Sequence, residues 1–243
     1  MPELLQRIQQ ANRSLAVLID PEKMELDAIA AFAKAIPLTM SSLKKKLHID
    51  QFFFLVGGST MGDTDINQWV KLLKEHSETD VVLFPGTPEQ LTKNADGLLF
   101  LSLLSGRNPK FLIEHQVDAA MQLKGTSLEV IPTGYLLIDG GKETAVQRVS
   151  KTLPLSQKNI QNIVNHAYAA ALMGNQLVYL EAGSGAVNPV AIEIVREVSA
   201  QINVPLIVGG GLRTTAQIEA VYHAGAKIVV VGTAIEENIN WNG

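Results

Sequence analysis

The chain of 243 residues contains no cysteine. That absence removes disulfides, thiolate metal sites and cysteine nucleophiles together, and it suits a reducing cytoplasm, the expected compartment. Aromatic residues are scarce at 5% and charged ones make up 18%, while 47% of the chain is hydrophobic, which is within the globular range. There is no excess of positive charge. The formal net charge is −4, so nothing draws the chain to a nucleic-acid backbone and no nucleic-acid partner is expected. Long apolar runs are missing too: stretches such as 227–232 are strand-length, far short of a membrane span. Residues 1–14 are polar and helix-like, without the apolar stretch and small-residue cleavage site of a secretion signal. No integral membrane segment is therefore expected. Peripheral membrane contact needs only a surface patch and stays open.

What the chain does have is alternation. Near-continuous apolar runs, as buried parallel strands require, fall at Leu15–Ile19, Phe52–Val56, Val81–Phe84, Leu98–Leu101, Gly134–Ile138, Leu177–Leu180, Pro205–Val208 and Ile228–Val231. Helical periodicity lies between them, over Asp27–Ile36, Ile66–His76, Pro109–Leu123, Ser156–Met173, Pro189–Ile202 and Thr214–Ala224. Gly174 follows the fourth of these as a helix stop. The third repeat is thin: 86–95 is too short for a strand-linking helix, so a loop or single turn is expected there. The lysine-rich segment 43–47 reads as a solvated stretch before the second strand. Eight strands in strand–helix order predict an α/β fold, a (β/α)8 TIM barrel with a degenerate third helix, as one domain over 1–243. A doubly wound sheet is the alternative.

Chemistry gathers at the predicted carboxyl ends of the strands. Val208-Gly209-Gly210-Gly211-Leu212-Arg213-Thr214 and Val231-Gly232-Thr233-Ala234 each follow a strand and open a helix. Glycines let the backbone approach an anion and helix N-termini supply free N–H groups, so these loops read as a phosphate seat. Tyr179-Leu180-Glu181-Ala182-Gly183-Ser184-Gly185 ends the sixth strand, and alternation sends Tyr179 and Glu181 to one side with Leu180 opposite. An acid there, beside a glycine–serine–glycine loop, reads as catalytic or as an acceptor for a ligand hydroxyl. Asp20-Pro21 ends the first strand and Gly57-Gly58-Ser59-Thr60 the second, a carboxylate-plus-hydroxyl set suited to Mg2+ held through a substrate diphosphate. The histidines (His48, His76, His115, His166, His223) form no metal-ligand spacing. Asp139-Gly140-Gly141 reads as a turn that could line the mouth, as could Thr133 and Tyr135. On the residues alone, an isomerase or cyclase acting on a phosphorylated sugar stays open, as does a catalytically silent phospholigand-binding barrel.

Taken in order along nearly the whole chain, these motifs resemble the geranylgeranylglyceryl phosphate synthase family, which includes bacterial heptaprenylglyceryl phosphate synthases. The resemblance implies a TIM barrel with a degenerate third helix. It also implies Mg2+-dependent transfer of a prenyl group, most simply geranylgeranyl, from its diphosphate to sn-glycerol 1-phosphate, forming an ether lipid precursor. On that resemblance Asp20 and Ser59 are the magnesium positions. Tyr179, Leu180, Glu181, Ala182, Gly183, Ser184, Gly185, Gly210, Gly211, Gly232 and Thr233 hold glycerol phosphate. Glu181, with Tyr179, is catalytic and takes the proton of the attacking hydroxyl. Self-association is implied as well. One departure stands out: some bacterial members carry a lysine where this chain has Leu18, so that charge must come from backbone amides or another basic residue, with Arg213 and Lys23 the candidates. Apolar residues at Leu98–Leu104 and Phe111–Ile113 could line a groove for the prenyl tail, although strand and helix core explains most of them.

Overall fold

Side-chain alternation along the strands decides the architecture. The computed structural model describes residues 3–60, 64–237 and 241. Its strands are β1 (Ser14–Ile19), β2 (Gln51–Val56), β3 (Val81–Leu83), β4 (Gly97–Leu103), β5 (Glu129–Leu137), β6 (Leu177–Glu181), β7 (Leu206–Gly209) and β8 (Ile228–Val231). They pair in parallel in chain order, and β1 pairs with β8, which closes the barrel. One side-chain set, including Ala16, Phe53, Leu55, Val82, Leu99, Ile131, Tyr135, Leu177, Tyr179, Ile207, Ile228 and Val230, comes from every strand and fills the interior. The alternate set, among it Val17, Phe54, Leu83, Leu136, Leu180, Val208 and Val229, packs outward beneath the helices. Period-two alternation buried on both faces is what a closed parallel barrel demands.

The helices are α1 (Leu4–Gln10), α2 (Ile29–Leu47), α3 (Ile66–His76), α4 (Glu114–Leu123), α5 (Ala145–Ser150), α6 (Ile160–Leu172), α7 (Ile192–Gln201), α8 (Thr215–His223) and α9 (Thr233–Glu237). The helix-like N-terminal segment, whose first two residues lie outside the described part, becomes α1. It turns Leu4 and Ile8 into the barrel interior. Its first turn is held by Glu129, whose carboxylate accepts from Leu5 N–H at 3.0 Å and also from Leu4 N–H, satisfying amides that have no partner within the helix. As expected for the thin third repeat, only a 3-10 turn, Pro88–Gln90, links β3 to β4.

Four expectations are corrected. The helix expected to stop at Ile36 continues through Pro37 to Leu47, because its buried stripe (Ile29, Phe32, Ala33, Ile36, Met40, Leu43, Leu47) runs past the proline; packing of that face outweighs one lost backbone bond. The segment 43–47 is thus the last turn of α2, where Lys44, Lys45 and Lys46 suit the negative end of the helix dipole. With its lead-in turn the helix spans Leu26–Leu47, and among the described residues this one helix is long and apolar enough to cross a membrane by length and composition; it lies instead along the barrel wall. The fifth strand begins at Glu129, before Pro132: pairing with β4 from Gly97 to Leu103 carries it through the proline. The Pro109–Leu123 helix splits into a 3-10 turn, Pro109–Phe111, and α4.

Candidate active site

The sixth strand aims Tyr179 and Glu181 inward at the carboxyl end of the barrel, with Leu180 turned outward into the core beneath the helices. Both inward side chains are buried, Tyr179 fully and Glu181 to 6% exposure. The Tyr179 hydroxyl donates to Glu181 Oε2 at 2.5 Å, and Gly183 N–H donates to Oε1 at 2.6 Å. Burial pushes the Glu181 carboxyl above the usual carboxylate range. The two donors and the nearby Lys23 ammonium pull it back by favouring the charged form. Burial also raises the Tyr179 phenol well above its ordinary value, and the Glu181 charge adds to this, so Tyr179 stays a proton donor in the hydrogen bond. The result is a buried carboxylate with both oxygens oriented and a raised proton affinity, the properties of a general base.

On one side of Glu181 lies a small polar cleft. Its walls are Ser184 and Gly185 after β6, Gly210, Gly211 and Arg213 after β7, and Gly232 and Thr233 after β8, over a floor of Leu18 and Val230. The Ser184 and Thr233 hydroxyls meet at 3.3 Å, so loops from β6 and β8 touch. Gly210 adopts φ +89°, and a Cβ there would lie 2.7 Å from both Glu181 Oε1 and Gly183 N, where only glycine fits. The turn at Asp139-Gly140-Gly141 props this wall from outside, since Val187 and Asn188 N–H both donate to the Gly140 carbonyl at 3.0 Å. Of the residues expected to hold glycerol phosphate, the structure brings Glu181, Ser184, Gly185, Gly210, Gly211, Gly232 and Thr233 to one cleft. Tyr179 lies beneath, through its bond to Glu181, and Gly183 contributes its N–H to the same carboxylate. Leu180 and Ala182 are fully buried with side chains in the outer core, which leaves them only backbone atoms to offer.

Along β4 runs a separate apolar groove enclosing about 810 Å³ of empty space, its open mouth included. Leu98, Leu99, Phe100, Leu101 and Leu103 of β4 line it, with Phe111, with Ala119 of α4, and with Val146 and Val149 of α5. These residues of the expected ranges do line a groove, whereas Leu104, Leu112 and Ile113 are outside its lining, Ile113 at 62% exposure. Gly58 and Ser59 stand at the groove's polar end, and Phe84 and Tyr135 are in its wall. These two rings pack on Tyr179 at 5.5 and 5.4 Å between centroids, so the groove's aromatic wall backs directly onto the residue that orients Glu181. Thr133 does not line the mouth: its buried hydroxyl donates to the Ile131 carbonyl at 2.9 Å.

Asp20 sits beside this polar end. A Cβ on Gly58 would come 3.0 Å from Asp20 Oδ1, and Lys23 Nζ lies 3.4 Å from Oδ2. Among the described residues no group of three or more histidines and acids could hold a metal ion by itself. One carboxylate and one hydroxyl fit a magnesium ion coordinated mainly by substrate oxygens and water. Sequence reasoning missed Phe84 and α5 as parts of the groove. Phe84 read as the last residue of a strand, and α5 is too short at six residues to show periodicity.

The chain matches the model of the PcrB family over residues 10–242. It is similar to the geranylgeranylglyceryl phosphate synthase of Zunongwangia profunda, 47% identical over 240 residues that cover 97% of this chain and 98% of that one. The synthase of Flavobacterium johnsoniae is 44% identical over 239 residues, 97% of this chain and 93% of that one. Among solved structures, (S)-3-O-geranylgeranylglyceryl phosphate synthase from Thermoplasma acidophilum, in complex with its substrate sn-glycerol-1-phosphate, superposes with a TM-score of 0.85 at 30% identity, over 99% of this chain and 94% of that one.

Proposed function

The chain belongs to the PcrB family, and from that premise we infer that it is a geranylgeranylglyceryl phosphate synthase, transferring a prenyl group to sn-glycerol 1-phosphate. The observation that carries this reading is one buried acid, Glu181, that lines a glycine-walled polar cleft while its hydrogen-bond partner Tyr179 packs against the aromatic wall of an apolar groove. A phosphate ester and a prenyl chain need opposite surroundings, and this barrel offers both, joined through Tyr179.

The cleft takes glycerol phosphate through the amides of Gly210, Gly211, Gly232 and Thr233 and the hydroxyls of Ser184 and Thr233, at loops that open helices α8 and α9. The groove takes the geranylgeranyl tail, with its diphosphate at Ser59. Mg2+, when bound, stabilises the departing diphosphate by its charge, and Asp20 with Ser59 would hold it. In the transfer the bond between the first prenyl carbon and its diphosphate oxygen breaks, and the electron pair leaves on the diphosphate. The free glycerol hydroxyl oxygen bonds that carbon and its proton passes to the Glu181 carboxylate. Tyr179 and Gly183 keep both carboxylate oxygens fixed during the transfer, and the negative charge favours the positive charge growing on the allylic carbon.

The same proposal takes residues 1–243 as one catalytic domain at work in the cytoplasm, consistent with a chain that lacks cysteine. It includes self-association. Ile113, immediately before α4, and Val117 and Met121, four apart on it, are all exposed and form a patch that a second copy would cover. The test of function is incubation of the purified protein with sn-glycerol 1-phosphate, Mg2+ and geranylgeranyl diphosphate. A product of the ether's mass is expected; no such product, with both substrates intact, would overturn the assignment.

A further inference from the structure

We propose that Gln90 is a positioning residue for the diphosphate end of the donor: through Gly86 it straps the loop after β3 onto Gly58 and Ser59, and so fixes the Ser59 hydroxyl at the groove's polar end. This rests on the functional reading above and deepens it. The starting point is the thin third repeat. Where most repeats carry a full helix, residues 84–96 hold only the 3-10 turn Pro88–Gln90. Yet this short connection buries a polar side chain, since Gln90 is 4% exposed. A buried side-chain amide is costly unless it is hydrogen-bonded. Its Oε1 accepts from Gly86 N–H at 2.7 Å, four residues back, where no helix supplies a partner.

Gly86 is where the strap meets the site. A Cβ on it would lie 2.7 Å from both the Gly58 and the Ser59 carbonyl oxygens, so the two backbones touch and only glycine fits between them. The contact begins earlier. Phe84 N–H donates to the Val56 carbonyl at 2.8 Å, and a Cβ on Gly57 would run into the Phe84 carbonyl. From Phe84 to Gly86 the strap therefore lies along residues 56–59. Among the described residues no hydrogen bond joins Gly86 to the Gly58 or Ser59 carbonyl. Its N–H is turned to Gln90 instead, which makes that side chain the bond that holds the strap down. Pro85, Gly86, Thr87 and Pro88 line the groove beside Ser59, and Gly58 in turn abuts the Asp20 carboxylate. Release of Gln90 lets the strap lift and Ser59 shift. The cleft after β6 to β8 is built from other loops and stays as it was.

The test is calorimetric affinity for inorganic pyrophosphate with Mg2+ and for sn-glycerol 1-phosphate, together with kcat/KM for geranyl, farnesyl and geranylgeranyl diphosphates. The proteins are the wild type, Gln90→Met and Gly86→Ala, and thermal unfolding checks that each variant is folded. Gln90→Met keeps the length of the side chain and removes the acceptor. It should weaken pyrophosphate binding about three- to tenfold, the range of one neutral hydrogen bond. It should lower kcat/KM by a similar factor for all three donors, because they share the diphosphate end. Glycerol phosphate affinity should not move. Gly86→Ala forces the same contact apart from the other side and should reproduce the pattern. A lower melting temperature alone in both variants, with wild-type pyrophosphate affinity and kcat/KM, makes Gln90 a structural residue and overturns the proposal. A loss that grows with donor length overturns it too, because the strap then shapes the tail groove. Wild-type protein that forms no ether with any donor overturns the functional reading itself, and the proposal with it.

Discussion

At the scale of single residues, the site works by opposing burial with oriented donors. Burial alone would raise the Glu181 carboxyl further than is found; the Tyr179 hydroxyl and Gly183 N–H hold it down. A general base acts in its ionised form, so turnover should fall as pH drops through this raised value. Tyr179→Phe removes one donor and leaves burial less opposed, which raises the carboxyl further. The acidic limb of the pH–kcat profile should therefore move to higher pH, with little change in the affinity for glycerol phosphate. A pH–rate series on the two proteins checks this, and an unmoved limb would show that Tyr179 does not tune the acid. The alternation that puts Tyr179 and Glu181 on one side is plain in the sequence, because strand geometry is local. Their burial and the opposing donors are not, since these depend on what the β7 loop and the barrel interior bring alongside.

At the scale of elements, the loops after β6, β7 and β8 form one wall. Gly210 is its tightest point: an added side chain would meet Glu181 Oε1 and the Gly183 and Ala182 amides, all within 2.8 Å, at a positive φ. Gly210→Val should abolish glycerol phosphate binding or weaken it at least about tenfold, because the branched side chain fills the approach of the anion and strains the backbone. Calorimetry on the folded variant is the check, and retained affinity would remove this loop from the phosphate seat. The glycine runs were legible because each follows a strand and opens a helix. The course of α2 was not: proline rules stop a helix locally, and only the barrel surface that buries Met40, Leu43 and Leu47 explains why it goes on. The split at Phe111–Glu114 was hidden for the opposite reason, as one apolar pattern runs across both pieces.

At the scale of the whole molecule, the closed barrel carries two unlike compartments, a polar cleft lined by Glu181 and an apolar groove whose aromatic wall packs on Tyr179. The cleft is built from the ends of β6 to β8 and the groove from β4, α4 and α5, so each is open to change without the other. Val146→Trp, on α5 in the groove wall, should raise the KM for geranylgeranyl diphosphate severalfold by filling space the tail occupies, and leave glycerol phosphate affinity as it was. A matching loss of glycerol phosphate affinity would mean that the two compartments are not separate. Barrel closure and strand order were legible from eight apolar runs. The groove was legible only in part: β4 suggested it, but α5, which completes the wall, is invisible to periodicity. The central claim is that Glu181 removes the proton as the ether forms, and single-turnover rates of wild type and Glu181→Gln with both substrates bound test it most directly. The account predicts a fall of about 10²–10⁴ in rate, typical of losing a general base, with glycerol phosphate affinity changed far less. A folded Glu181→Gln protein that turns over near the wild-type rate would contradict it.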